Sequence, residues 1–143
     1  MKRLVTGVDE TGASCVVEGG QFTLETSDGS PGFSMAVVYS TNDSPPPTRP
    51  ASRTDLLDLG LAPGRVRWMV IDYEPNAVFS MHHTDSVDFD LLLQGSLELT
   101  LGDGIHRLEP GDCVVMTGVD HAWRAGPEGC RLSVTAIGTP SPA

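Results

Sequence analysis

Glycine and proline interrupt this chain so often that no apolar run lasts long enough to make a packed helix. In the second half the apolar runs cover 66–73, 79–84, 88–93, 96–101, 106–108, 113–116, 122–125 and 131–137. Between most of them stand turn formers: Glu74-Pro75-Asn76, Gln94-Gly95, Gly102-Asp103-Gly104, Pro110-Gly111-Asp112, Gly118 and Pro127-Glu128-Gly129. A packed helix needs about 10–12 residues of sustained pattern, whereas strands need only about 4–8. Many short strands at close spacing fold into a β-sandwich or barrel. The chain is therefore expected to be all-β.

The first half is less regular. Strands are expected at 3–6, 14–18, 21–25 and 33–40, with Gly12, Gly19-Gly20 and Asp28-Gly29 as punctuation. Residues 42–52 hold Pro45-Pro46-Pro47 and Pro50, which no hydrogen-bonded ladder accepts, so a loop is expected there. Residues 55–59 read as one helical turn with Thr54 as its cap, and 139–143 as a frayed tail. At 143 residues the chain fits one domain. We divide it into N-terminal strands and a Pro-rich loop that extend the sheet (1–63), a barrel core (64–138) and the tail (139–143).

Charge narrows the partners. The net charge is −10 with only nine Lys and Arg, which disfavours nucleic acid and anionic membrane surfaces. Cys15, Cys113 and Cys130 are odd in number and lack metal-type spacing, so a reducing compartment suits them and no disulfide framework is expected. Met1 to Val5 leads straight into polar Thr6 and Asp9 rather than into the apolar stretch of a signal peptide. A cytoplasmic protein is expected.

The chemistry concentrates in two segments, Met81-His82-His83-Thr84-Asp85-Ser86-Val87-Asp88 and His121-Ala122-Trp123. Strand alternation puts His82, Thr84 and Asp88 on one face and turns His83 away. Asp88, Asp90 and Leu92 then face one way, Phe89, Leu91 and Leu93 the other. Both faces are apolar enough to require cover, and a homodimer over Phe89, Leu91 and Leu93 is the expected arrangement. Trp123 shares a face with His121 and is expected in a pocket wall, with Trp68 as core or cavity wall. His83 and His106 read as surface residues. Imidazoles beside a carboxylate on rigid strands make either a metal site or an acid/base site.

These residues resemble the cupin superfamily, small antiparallel jelly-roll barrels. The first cupin motif runs His-any-His, three or four residues, Glu, six residues, Gly. His82, Asp88 and Gly95 match its first His, its Glu and its Gly, while Thr84 stands where the second His belongs. The second motif runs from a Gly-Asp turn through a Gly to a His, as in Gly111-Asp112, Gly118 and His121, with Met116 replacing the usual proline. The resemblance spans about residues 64–137, and Val5-Thr6-Gly7-Val8-Asp9 is similar to a segment of small single-domain cupins. It implies a cupin-type double-stranded β-helix with extra N-terminal strands.

The resemblance also implies a possible divalent metal (Fe, Mn, Ni or Zn) on His82, Asp88 and His121. Threonine is a poor ligand, and Asp reaches less far than Glu. What is left is a two-His-one-carboxylate set, a pattern that leaves positions open on Fe(II). Without metal, the same residues suit general acid/base catalysis. The expectation is an enzyme acting on a small cyclic or carbonyl-bearing metabolite as an isomerase, dehydratase, cyclase or decarboxylase. Catalytic groups would be His82, Asp88 and His121, with Thr84, Asp90, Trp123 and Trp68 touching substrate. A metal-dependent dioxygenase and a non-catalytic small-ligand binder are the alternatives.

Overall fold

The computed structural model describes residues 1–26, 34–41 and 52–142. Its strands are β1 (Lys2–Val8), β2 (Ser14–Gln21), β3 (Glu25–Thr26), β4 (Ser34–Met35), β5 (Val66–Tyr73), β6 (Val78–His82), β7 (Ser86–Leu101), β8 (Gly104–Leu108), β9 (Cys113–Met116) and β10 (His121–Gly138). Among the described residues there is no helix, so none is long and apolar enough to cross a membrane.

Two long strands organise everything else. The turns expected at Gln94-Gly95 and Pro127-Glu128-Gly129 are bends inside β7 (16 residues) and β10 (18 residues), not breaks between strands. Gly95 takes φ 76° and Gly129 φ 75°, and the β7–β10 register slips between Ala125 and Cys130. A Cβ added at Gly95 would lie 2.0 Å from the Gly129 carbonyl oxygen. The two strands thus cross at a corner that only glycine fits. Bulges with residues left of the ladder are how sheets fold over on themselves.

That corner makes two layers. Before it, β7 lies between β9 and the second half of β10, and the sheet runs on to β5 at one end and to β1 and β2 at the other. Beyond it, residues 97–101 of β7 lie between β8 and the start of β10, which in turn pairs with β6. This is an all-β jelly roll. Leu97, Leu99 and Leu101 share the inner face, as their alternation requires, and pack with Leu108, Val114 and Met116 into the core.

The N-terminal third departs from expectation in detail. β2 runs through Gly19-Gly20 to Gln21, and 22–24 form no strand. Residues 55–59 are extended, not helical: Leu56 forms a parallel bridge with His83, and the Thr54 hydroxyl donates to Asp120 (2.6 Å) instead of capping a turn. The tail is docked as far as Ser141. The Thr139 N–H donates to the Asp85 carbonyl (3.0 Å), and the Ser141 hydroxyl donates to the Asp85 carboxylate (2.6 Å). The Pro-rich segment 42–51, the Asp28-Gly29 turn, Phe33 and Ala143 lie outside the described residues. On the outer face, Tyr39 packs on Phe89 with ring centroids 5.8 Å apart, whereas Leu91 and Leu93 stay exposed. All three cysteines are free.

Candidate functional site

Between the two layers lies a cavity of about 200 Å³. The layer holding β5 contributes Asp88, Asp90 and Tyr73 together with Met69 and Ile71, and the layer holding β6 contributes Phe79, His82, His121 and Trp123. Thr84 lies where the chain passes from one layer to the other, and Leu57 and Leu59 complete the wall from outside the sheets. Among the described residues no Lys or Arg lines the space.

The imidazoles meet because β6 and β10 place His82 directly across from His121. Their ring centroids are 4.2 Å apart. Each Nδ1 lies against a backbone carbonyl, His82 on Ser80 at 2.8 Å and His121 on Val119 at 2.7 Å. A carbonyl oxygen can only accept, so both Nδ1 atoms carry the proton and both Nε2 atoms keep a lone pair. Burial lowers the proton affinity of His82, and burial reinforced by the neighbouring His82 brings His121 down to about 4. Both rings are neutral at pH 7.

The opposite wall holds acids that resist ionisation. Burial raises Asp88 to about 6, even though the Ser86 hydroxyl, 2.7 Å from Oδ1, favours its charged form. Burial, then the charge of Asp88, pushes Asp90 well above the ordinary carboxylate range. Burial, then Asp90, pushes Tyr73 up to about 12. Ser86 has one hydroxyl proton, and ionised Asp88 takes it. Thr84, 3.0 Å from Ser86, must then donate to the Ser86 oxygen, giving a one-way chain Thr84 to Ser86 to Asp88.

Six of the residues singled out in the sequence line this one cavity: His82, Thr84, Asp88, Asp90, His121 and Trp123. Trp68 does not. It is 77% exposed on the outer face, with its indole N–H donating to Ser133 Oγ (2.9 Å). The reason is alternation along β5: Met69, Ile71 and Tyr73 turn inward, so Trp68, Val70 and Asp72 turn out. The charged Asp72 marks the outward set. The same reading finds Tyr73, which sequence reasoning missed along with Ser86, Leu57 and Leu59.

A comparison with protein-family models finds no match. Phomopsin biosynthesis cluster protein C' of Diaporthe leptostromiformis is 36% identical over 63 residues, covering 43% of this chain and 33% of that protein. A cupin-domain-containing oxidoreductase, srdB, of Neurospora crassa is 31% identical over 97 residues, covering 62% of this chain and 47% of that protein. The chain thus spans between a third and a half of these curated relatives. Among solved structures, a cupin-2 domain containing protein from Shewanella frigidimarina aligns at 20% identity with a TM-score of 0.45, over 50% of this chain and 70% of that one. The jelly roll, with both motif histidines meeting inside it, and the match to a cupin-domain protein agree. The chain has a cupin-type fold.

Within that fold it keeps only part of the ligand set that the first cupin motif describes. The two Nε2 lone pairs suit a metal, and carbonyl-bonded Nδ1 atoms are the usual support for metal-binding histidines. A third donor fails to join them. Among the described residues no group of three or more His, Cys, Asp or Glu is placed to hold a metal ion. Asp88 lines the cavity, yet it stands on the wall facing the imidazoles and Ser86 ties one of its oxygens. The residues present therefore do not fit a three-ligand centre. His83 does not line the cavity, and His106 pairs with Asp103 (2.7 Å) at the surface.

Proposed function

We propose that this cupin-fold protein is an enzyme that moves protons on a small, neutral, carbonyl-bearing metabolite. The supporting observation is the pairing of two neutral imidazoles with two acids of raised proton affinity around one largely apolar space. With no Lys or Arg among the described lining residues, an anionic guest would lose its hydration without gaining a counter-charge from them. A neutral guest carrying hydroxyl and carbonyl groups suits the walls. Its hydroxyl protons would go to the Nε2 acceptors, and its carbonyl oxygen would accept from the protonated Asp90 or from Tyr73.

Asp88 is the better general base. Its value of about 6 lies nearer the working pH than the value of about 4 at His121, and base efficiency peaks when the two are matched. Asp88 would take a proton from the carbon beside the carbonyl, leaving an enolate whose oxygen is held by the Asp90 or Tyr73 donor. For an α-hydroxyketone, return of that proton to the former carbonyl carbon, with the hydroxyl proton passing to the enolate oxygen, is isomerisation; delivery of it to a β-hydroxyl that leaves as water is dehydration. The oxidative alternative calls for a metal centre, and the donor set described above does not supply its third ligand.

Deuterium exchange tests this reading directly. Hydroxyketones and cyclic ketones incubated with the protein in D₂O are expected to gain deuterium beside the carbonyl, and to lose that gain in Asp88→Asn. If members of the panel bind, seen by NMR shifts, yet none exchanges or turns over, the cavity is a ligand-binding site and the enzymatic reading falls.

A further inference from the structure

One wall of the cavity belongs to neither sheet. Residues 52–61 run as an irregular strap, extended around Leu56, with Leu57 and Leu59 turned into the cavity and Leu61 into the core, while Leu56, Asp58 and Gly60 face out. Several bonds hold it, two sets of them beside the imidazole pair. At His83 the strap makes a short parallel bridge: the His83 N–H donates to the Asp55 carbonyl (3.1 Å), and the Leu57 N–H donates to the His83 carbonyl (2.8 Å). At Asp120 one carboxylate accepts from the Arg53 N–H (2.9 Å) and from the Thr54 hydroxyl (2.6 Å). An Arg67 guanidinium N–H donates to the Leu59 carbonyl (2.6 Å) beyond the two leucines.

The bonds at His83 and Asp120 adjoin the chemistry. His83 follows His82 and Asp120 precedes His121, so the strap hangs from the same two backbone turns that set the imidazole pair. The strap has no ladder of its own beyond one bridge, so its position depends on these few bonds. Its leucines are the part of the wall that can be resized without touching a strand of either sheet.

We propose that Leu57 and Leu59 are the specificity-determining residues of this cavity, a side wall latched by Asp120 that limits the size of the guest. This rests on the cavity being the guest site proposed above. Its test reads access instead of turnover, so an inert cavity would leave the inference standing. Trp123 is the reporter, because it lines the cavity at 6% exposure and the chain's other tryptophan, Trp68, can be silenced by Trp68→Phe.

In that background, fluorescence quenching of Trp123 is measured with two neutral quenchers, acrylamide and the bulkier succinimide. The succinimide-to-acrylamide ratio of quenching constants is expected to rise at least twofold in Leu57→Ala/Leu59→Ala. Leu57→Met, which keeps the volume, should hold the ratio of the parent. Thr54→Val, which removes one latch bond and no wall atom, should give an intermediate rise. Near-ultraviolet circular dichroism establishes that each variant is folded, and Thr54→Val carries the test alone if the double variant is not. A ratio equal across the folded variants overturns the proposal, as does a rise in Leu57→Met as large as in the double alanine variant.

Discussion

The two walls of the cavity respond to burial in opposite directions. On the β5 side, Asp88, Asp90 and Tyr73 are driven to keep their protons; on the β6 side, His82 and His121 are driven to give theirs up. One cause, loss of water around a charge, acts on both, since burial always favours the uncharged form. The result at neutral pH is one wall with protonated Asp90 and Tyr73 beside a largely ionised Asp88, facing the lone pairs of two neutral imidazoles. What differs between the walls is which hydrogen-bond partners meet the buried groups. Each histidine has a carbonyl fixing its tautomer, while Asp88 has a hydroxyl chain that pulls against burial.

The strongest test is to neutralise one wall at a time. Asp88→Asn should cost about 10²–10⁴-fold in kcat/KM on any substrate that exchanges, the range expected for loss of a general base. The same change should stabilise the fold. Asp88 sits at about 6 in the folded chain against an ordinary 3.8, so the native state holds the extra proton between those values and loses stability as pH rises through them. Asp88→Asn removes that loss, for a gain on the order of 1–3 kcal/mol above pH 7. His121→Gln should act in the other window. His121 falls from 6.5 to about 4, so the native state holds less proton and loses stability as pH drops through that range. The variant should therefore outlast the parent near pH 4 and gain nothing at pH 7.5. Urea melts across pH 4–8 read both signs, and equal pH slopes in the two variants would dissolve the contrast between the walls.

Much of this was legible in the residues. Turn formers between short apolar runs announced an all-β chain, and motif spacing singled out His82, Asp88 and His121, which the fold places around one cavity. What was not legible has a common origin. Gly95 and Gly129 have left-handed dihedrals that serve equally well in a turn or in a bent strand, and only the partner strand decides which. Leu56, Leu57 and Leu59 fit one helical turn as well as an extended strap, and the bridge to His83 is a contact between distant parts of the chain. Trp68 was misplaced because alternation says which residues share a face and not which face is inside. Ser86 left no signal beyond its even position beside Thr84 and Asp88.

Ser86 offers a finer cut into the acid wall. Its hydroxyl donates to the Asp88 carboxylate at 2.7 Å and lowers the proton affinity that burial raises. Ser86→Ala removes the bond and leaves Thr84 with no path to Asp88. The acid limb of kcat/KM, which follows ionisation of Asp88 near 6, should move upward by about one pH unit. kcat at high pH should change far less, because the ionised base is still in place. A packing defect alone would lower activity evenly at every pH. A profile that falls without moving would assign Ser86 to structure only.

The smallest expected effect concerns metal. His82 and His121 present two nitrogens, and no third side chain joins them among the described residues. Two imidazoles bind Zn(II) or Ni(II) weakly compared with a three-ligand site, whose added donor and open position define the usual catalytic arrangement. Protein purified without chelator should therefore give up its metal on dialysis against EDTA, and proton exchange should change less than twofold. Titration with Fe(II), Mn(II), Ni(II) and Zn(II), followed by elemental analysis, measures the same property from the other side. Stoichiometric metal that survives EDTA and disappears in both His121→Ala and Asp88→Asn would mean that Asp88 swings to the imidazole wall. The two walls would then be parts of one metal centre, and Asp88 its third ligand instead of its base.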